Sequence, residues 1–445
     1  MFKRAVVTGM GPVSSIGIGI ESFWKNAREG TGYFRNVDFE GIDMEQYRSR
    51  VCSPIDDFQP GQYTDRLKEL KRAGKATKYS VIGTMLALQD AGFKICSAKE
   101  GKEGDPKIYY VEGIDPHRTG VILGQAAQNV DLQFADHVKF LEDRGPKRVN
   151  PFTLAQSNIN TGVTSVAQWF YLRGTGHTIA TACSSATHAI SVGALHIQCG
   201  IEDIMIVGGA EGSIDKYMFS GFDRMRAMSE RNDDPMSACR PFDRDRDGFV
   251  MGEGAGILVL EELEYARKRG ARIYGEIVGY GYSQDAYKLA APDPYGTSAI
   301  HAIKKALSMA GITAQEVEYI NAHGTSTPLN DSTESFIIKQ VFGDYAYRIP
   351  VSSSKSYFGH AIGAAGGLEA IVTLLIMDNG IIAPTANLEN PDLDYIDQVA
   401  PDLDKRCDLD YVPCIKREKQ VNIALSESFG FGGQNGAVIF KRLEE

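Results

Sequence analysis

The sequence lacks the cysteine pattern of a disulfide framework or of a zinc site. Its seven cysteines are spread along the chain, their number is odd, and no two of them form a C-x-x-C pair. The residues before the first apolar strand also lack the apolar core and the cleavage site of a signal peptide. These absences predict a protein of the reducing cytoplasm.

Long apolar runs and an excess of positive charge are absent as well. No stretch reaches the roughly 20 apolar residues of a membrane span, so we expect no membrane contact. The net charge of −10 argues against a protein whose whole surface binds nucleic acid or anionic lipid. With 43% hydrophobic residues, the 445-residue chain has the composition of a globular enzyme with two or three domain-sized units or one fused pair.

Apolar strands alternate with helical patterns, and the alternation starts again after about residue 281. The predicted strands of the first half are 5–7, 119–124, 204–211, 257–260 and 273–280, and those of the second half are 318–323, 351–354, 421–426 and 437–440. Continuous apolar strands separated by helices indicate an α/β sheet covered on both faces. We therefore predict two similar halves, 1–280 and 281–445, with one site between them.

Cys183 lies within a run of small residues, 181–186, that follows β-prone sequence and precedes a helical pattern. A cysteine in the first turn of a helix is exposed to the positive end of the helix dipole and to unpaired N–H groups. Both lower the pKa of the thiol, which predicts a nucleophile. Most free cysteines are small buried packing residues, so this stretch alone leaves both interpretations open.

Two histidines follow predicted strands beside small residues, as ligand sites of α/β proteins do. They are His323 and His360, and Lys355 precedes the second of them. A lone histidine is more often structural, and most of the eight in this chain must be so. A glycine turn, 430–433, ends the strand near 426 and could offer backbone N–H groups to an oxyanion, although such turns commonly bind nothing.

Together these motifs resemble the β-ketoacyl-[acyl-carrier-protein] synthases, and most closely their type II, elongating, Cys-His-His branch. The motifs are Thr181-Ala182-Cys183-Ser184-Ser185, His323-Gly324-Thr325-Ser326-Thr327, Lys355 with Gly359-His360, and Gly430-Phe431-Gly432-Gly433. They occur in the family's order and spacing, and the resemblance covers nearly the whole chain. It implies an α/β thiolase fold, in which two duplicated halves form a five-layered α-β-α-β-α core, and usually a homodimer.

The resemblance implies a decarboxylating Claisen condensation in fatty-acid elongation or in a polyketide or aryl-polyene-like pathway. Cys183 would take the acyl group, and His323 and His360 would hydrogen-bond the malonyl thioester carbonyl and stabilise the enolate. Lys355 would position the site, and the N–H groups of Cys183 and Phe431 would form the oxyanion hole. No metal and no cofactor of its own are expected, because the phosphopantetheine arm belongs to the carrier protein.

The resemblance also assigns residues to the substrate and to the carrier protein. Thr325 and Thr327 would hydrogen-bond the phosphopantetheine arm, and Phe222, Phe429 and Phe431 would line or gate the pocket. Carrier proteins are acidic, so a local positive patch is expected on this acidic chain. Its candidate residues are Lys68, Lys71, Arg72, Lys147, Arg148 and Arg226.

The sequence departs from the family near the expected pocket. Ala290 stands where the fatty-acid branch usually has a threonine, Gln128 lies in an amide-rich stretch that replaces a glycine-rich one, and Gln156 replaces a common proline. Additional amides fit a substrate that is less purely aliphatic than a saturated acyl chain. These departures leave the acyl group, the pathway and the choice between a homodimer and a heterodimer open.

Two other functions of this fold are alternatives. A non-catalytic chain-length-factor subunit typically lacks the cysteine, whereas this chain retains all four predicted catalytic residues. A biosynthetic thiolase needs a second catalytic cysteine near the C-terminus, whereas the glycine turn here holds Phe431, and Cys407 and Cys414 lie outside it.

Overall fold

The computed structural model describes residues 2–71, 73–97, 109–127, 129–142 and 145–443, with only the backbone of residues 68 and 69. The strands are β1 (Ala5–Ser14), β2 (Gly17–Ile18), β3 (Arg35–Asn36), β4 (Val51–Ser53), β5 (Ile95–Ser97), β6 (Tyr109–Val111), β7 (Thr119–Gly124), β8 (Gly176–Ile179), β9 (Ile204–Glu211), β10 (Met251–Gly252), β11 (Gly254–Glu262), β12 (Gly275–Gln284), β13 (Tyr319–Asn321), β14 (Val351–Ser352), β15 (Ile381–Ile382), β16 (Arg417–Glu418), β17 (Ile423–Gly430) and β18 (Gln434–Lys441). The helices are α1 (Ile20–Ala27), α2 (Leu67–Leu70), α3 (Lys75–Asp90), α4 (Val130–Glu142), α5 (Thr153–Ser157), α6 (Thr161–Phe170), α7 (Ser185–Gln198), α8 (Lys216–Arg224), α9 (Leu263–Lys268), α10 (Thr297–Ala310), α11 (Pro328–Phe342), α12 (Lys355–Phe358) and α13 (Ala365–Asn379).

The main sheet consists of two arms with the same strand order. The first arm runs β1-β11-β9-β7-β8 and the second runs β12-β18-β17-β13-β14. In each arm the first two pairings are antiparallel and the next two are parallel. A short antiparallel pairing of β1 with β12 joins the arms. The expected division between residues 280 and 281 falls inside β12.

The helices form three layers around the two arms. Helix α3 packs against β1 and β11 on the outer side of the first arm, and α10 packs against β12 and β18 on the outer side of the second. Helices α7 and α13 contact each other and strands of both arms, so they form the central layer. The order helix, sheet, helix, sheet, helix confirms the five-layered core that the resemblance implies.

Small residues allow the central helices to lie close to the sheet. A Cβ atom added to Gly256 of β11 would lie 2.1 Å from the backbone carbon of Gly367 on α13. One added to Gly209 of β9 would lie 2.6 Å from the carbonyl oxygen of Gly363. Only glycine permits this approach, so the glycine-rich stretch that precedes and begins α13 is explained by packing.

One helical stretch of the described residues, Ile362–Asn379, is long and apolar enough to cross a membrane. The expectation that no stretch reaches this length is therefore wrong. The stretch is 89% buried inside the fold, because α13 lies between the two sheet arms. A buried core helix passes the same test of length and composition, so the finding is weak evidence for a membrane span.

Candidate active site

Cys183 lies in a 3₁₀ turn, Ala182–Ser184, between β8 and the start of the central helix α7. Ala182 has a φ of 50°, which is uncommon for a residue with a side chain. The second half has the same arrangement, because the turn Ile362–Ala364 precedes α13 and Ile362 has a φ of 44°. The turn places the buried Cys183 at the start of α7, between the two arms.

The Cys183 thiol is less acidic than the sequence predicts. Burial raises its pKa to about 11, while the Lys355 charge and a hydrogen bond from the Phe431 backbone N–H oppose that rise. The expected lowering at a helix N-terminus is therefore wrong in direction, because the buried thiolate loses its hydration. A raised pKa favours the thiol form at neutral pH, so a nucleophilic role would require the proton to leave as the sulfur attacks.

The side chains of His323 and His360 lie close to the Cys183 sulfur. The Sγ atom of Cys183 and one ring nitrogen of each histidine lie within 4.8 Å of one another, and the two rings are edge to face with centroids 5.4 Å apart. Burial, followed by the charge of Lys355, lowers the pKa of both histidines well below its usual range. Both imidazoles are therefore neutral at physiological pH.

Lys355 determines which nitrogen of His323 carries the hydrogen. Its Nζ lies 3.2 Å from Nδ1 of His323, 2.5 Å from the His323 carbonyl oxygen, and in contact with Glu369. An ammonium group only donates, so Nδ1 of His323 accepts and Nε2 carries the hydrogen. The three contacts use all three N–H groups of Lys355. The contact with Nδ1 leaves the Nε2–H of the neutral His323 ring as the hydrogen-bond donor toward the cavity.

A cavity of about 350 Å³ opens from the three groups to the surface. The sequence-predicted residues that line it are Cys183, Phe222, Arg226, Ala290, His323, Thr325, Thr327, His360, Phe429 and Phe431. Lys355 lies behind His323 and contacts it. The lining therefore combines threonine hydroxyls and aromatic rings with the two imidazoles and the thiol.

Other predicted residues do not line this cavity. Lys71, Lys147 and Arg148 are exposed elsewhere on the surface. Gln128 and Arg72 lie outside the described residues, as does the side chain of Lys68. The docking patch and the amide-rich acyl pocket stay predictions at these positions.

Aromatic rings and hydroxyls form the walls of the cavity. Phe222 contacts Phe249 and Phe431, with centroid distances of 5.3 and 6.2 Å. The hydroxyls of Thr325 and Thr327 are 2.9 Å apart. The walls can hold a chain that carries amide groups near the two threonines and passes between aromatic rings.

The cluster of Cys183, His323 and His360 could hold a metal ion by composition. The Lys355 ammonium group, however, already donates to His323, and its charge repels a cation placed beside it. The expectation that the site works without a metal stays a prediction.

Four buried glutamates around the site were missed by the sequence analysis. Glu369 contacts Lys355, Glu334 accepts from the backbone N–H groups of His323 and Gly324, Glu427 faces Glu334, and Glu211 accepts from the backbone of Ala126. Glu211 ends the predicted strand 204–211 and Glu427 directly follows the predicted strand 421–426, while Glu334 and Glu369 lie in helices α11 and α13, where an acidic residue usually marks a solvated face. Their position inside otherwise apolar elements was the one available signal.

Replacing Gly430 with alanine should slow the expected acylation of Cys183 by about 10- to 100-fold, because a displaced turn moves the predicted nucleophile. The new Cβ would lie 2.8 Å from the Thr181 carbonyl oxygen and 3.1 Å from the Cys183 nitrogen. Stopped-flow transfer from an acyl donor measures the rate. As a control, Gly221→Ala on α8 has no atom within 4 Å of the new Cβ and should leave the rate unchanged. Equal rates in Gly430→Ala and the wild type would contradict the assigned contact.

Comparison with known proteins adds independent findings. The family model of the beta-ketoacyl synthase N-terminal domain matches residues 3–266, and that of the C-terminal domain matches residues 274–389. The 3-oxoacyl-[acyl-carrier-protein] synthase 2 of Synechocystis sp. is 40% identical over 444 residues, which cover 99% of both chains.

Solved structures are similar over the full length. The ishigamide ketosynthase/chain length factor is 31% identical with a TM-score of 0.85, and the alignment covers 100% of both chains. A type II polyketide synthase acyl-carrier protein in complex with its ketosynthase provides a chain that is 28% identical with a TM-score of 0.86, again over 100% of both chains.

Proposed function

The chain belongs to the β-ketoacyl synthase family, and we propose that it performs the condensation with the acyl group held on Cys183. It is a 3-oxoacyl-[acyl-carrier-protein] synthase, an acyltransferase that joins an acyl group to malonyl-acyl-carrier-protein with loss of carbon dioxide. One observation supports the role of Cys183 most strongly: its sulfur lies close to two neutral imidazoles, and all three groups line the cavity.

In the first step the Cys183 sulfur attacks the carbonyl carbon of the acyl thioester. The bond between that carbon and the pantetheine sulfur breaks, and the thiol hydrogen of Cys183 leaves with the pantetheine sulfur. The charge that develops on the carbonyl oxygen is stabilised by the backbone N–H groups of Cys183 and Phe431. The completed transfer leaves no net charge in the buried site.

In the second step the malonyl thioester carbonyl lies against His323 and His360. The bond to the carboxylate carbon breaks, carbon dioxide leaves, and the electron pair forms an enolate whose oxygen accepts hydrogen bonds from the imidazoles. The Nε2–H of His323 suits this role because Lys355 fixes its tautomer. The enolate carbon then attacks the acyl carbon on Cys183 and releases the sulfur as a thiolate, which takes a proton from water.

The cavity walls suit a phosphopantetheine arm. Thr325 and Thr327 offer hydroxyls to its amides, and Phe222, Phe429 and Phe431 surround the route to the sulfur. Ala290 also lines the cavity and offers no hydroxyl there. The arm enters as part of the carrier-bound substrate, and we expect no bound cofactor.

The partner is an acyl carrier protein, and we expect the chain to act in the cytoplasm. Its strand β8 ends the sheet and has a single neighbour, β7, among the described strands. Such an edge can pair with the same strand of a second copy or of a related subunit. A homodimer is our expectation, and a heterodimer with a chain-length factor is the alternative.

A panel of acyl carriers tests which pathway the enzyme serves. The purified protein receives malonyl carrier and saturated, hydroxylated or polyunsaturated acyl carriers of several lengths, and the 3-oxoacyl products are quantified by mass spectrometry. Fastest turnover of saturated medium or long chains would assign the enzyme to fatty-acid elongation. Fastest turnover of polar or conjugated chains would assign it to a specialised pathway.

Arg226→Glu should raise the KM for an acyl carrier protein about tenfold at low salt and change kcat little, because rim charges mainly control encounter. Arg226 is exposed at the mouth of the cavity. The effect should shrink as salt is added, and a small acyl thioester without a carrier should show none. The control variant Lys304→Glu changes an exposed lysine on the outer helix α10. Equal KM shifts in the two variants would exclude Arg226 from carrier docking.

A further inference from the structure

We propose that Glu427 is a positioning residue whose carboxyl group stays protonated and donates a hydrogen bond to Glu334, which in turn holds the turn that carries His323. The inference rests on the role proposed above for His323 in the decarboxylation step. Neither glutamate lines the cavity, so both act through His323 and not on the substrate.

Glu334 on α11 holds the segment where β13 ends and His323 begins. One carboxyl oxygen accepts the His323 backbone N–H at 2.6 Å, and the other accepts the Gly324 N–H at 2.7 Å. The Asn330 side chain donates to the second oxygen at 3.3 Å. A carboxylate satisfies these donors well because each of its oxygens accepts. The backbone around His323 is therefore fixed by a single side chain.

Glu427 lies on strand β17, and its carboxyl group interacts with that of Glu334. Its side chain is fully buried, its carboxyl group faces that of Glu334, and neither of its oxygens receives a hydrogen bond from the described residues. Lys355 cannot supply one, because its three N–H groups are directed at His323 and Glu369. A carboxylate in this position would be buried without a donor.

The charges around Glu427 favour its neutral form. The groups that act on the two facing carboxyls are Glu334 and Asp331 on α11, Glu369 on α13 and Lys355 on α12. Burial raises the pKa of Glu334 to about 7. Burial and then the charge of Glu334 raise the pKa of Glu427 well above its usual range. Two facing carboxyls without solvent share one proton over a wide pH range.

A protonated Glu427 accounts for the arrangement. Its O–H donates to Glu334, while the Glu334 oxygens go on accepting from His323 and Gly324. Loss of this proton would place two carboxylates against each other below the His323 turn. The turn would then move, and the Nε2–H of His323 would leave its position toward the enolate oxygen.

Two substitutions separate this role from simple packing. Glu427→Gln keeps the shape and provides an N–H donor that does not titrate, whereas Glu427→Met keeps the volume without any donor. We expect Glu427→Gln to stay within about threefold of the wild-type rate of malonyl decarboxylation, and Glu427→Met to lose about tenfold or more. Acyl transfer to Cys183 should be unchanged in both, which also shows that they are folded.

The pH profile of decarboxylation gives the readout that packing alone would not change. In the wild type the rate should fall on the alkaline side as the shared proton is lost, and in Glu427→Gln that fall should disappear. Infrared spectroscopy of the wild type should show a buried protonated carboxyl that is lost over the same pH range. This measurement needs no variant and stays decisive if a substitution prevents folding.

Several results would overturn the inference. Equal losses of decarboxylation in Glu427→Gln and Glu427→Met would do so, and so would an alkaline fall in rate that persists in Glu427→Gln. A wild-type enzyme that is active only with sodium or potassium present would show that a cation, and not a proton, lies between Glu427 and Glu334. Failure of the proposed function looks different, because Cys183 would then not be acylated in the wild type either.

Discussion

Cys183→Ala should lower condensation at least about 10³-fold, because the variant has no atom on which to hold the acyl group. Decarboxylation of malonyl carrier should stay measurable, since His323, His360 and the cavity do not depend on the sulfur. The two activities are measured separately, as 3-oxoacyl product by mass spectrometry and as released carbon dioxide.

The matched control is Cys199→Ala, which removes an exposed cysteine at the end of α7. It should leave both activities unchanged. Condensation by Cys183→Ala at a rate near that of the wild type would show that the acyl group is held elsewhere. A simultaneous loss of both activities would indicate that the turn itself has been disturbed.

Lys355→Met should destabilise the protein by about 3–5 kcal/mol, because it leaves the Glu369 carboxylate buried without its partner. Both side chains are fully buried. The variant should also lose decarboxylation, since Nδ1 of His323 no longer has the donor that fixes its tautomer. Denaturant unfolding measures the first effect and carbon dioxide release the second.

A double variant separates the two effects. Lys355→Met combined with Glu369→Leu removes both charges, and a buried ion pair can often be replaced by apolar residues with little loss of stability. We expect the double variant to regain most of the stability and none of the decarboxylation. Recovery of activity together with stability would mean that Lys355 only neutralises Glu369 and does not direct His323.

The fold could be predicted because its strands carry a strong local signal. The predicted strands 119–124 and 204–211 coincide with β7 and β9, and the second half repeats the order of the first. Parallel strands buried on both faces must be apolar throughout, so they stand out in the sequence. Helix α11 begins at Pro328, because the Thr327 side chain caps it and proline suits the first turn.

The electrostatics of the site could not be predicted from the sequence. The position of Cys183 at a helix start predicts an acidic thiol, yet burial has the larger effect and raises its pKa. The residues that bury Cys183 include Phe219, Met251 and Ile362, which are distant in sequence. The pairing of Glu427 with Glu334 likewise depends on how β17 and α11 pack, and no local pattern reports it.

The most direct test of the account is to find where the acyl group is held. The wild-type protein is incubated with an acyl carrier, digested and mapped by mass spectrometry, and malonyl carrier is then added. We predict one acyl group on the peptide that contains Cys183, removed when the 3-oxoacyl product forms. An unmodified Cys183 in protein that still condenses, or an acyl group that malonyl carrier does not remove, would contradict the account.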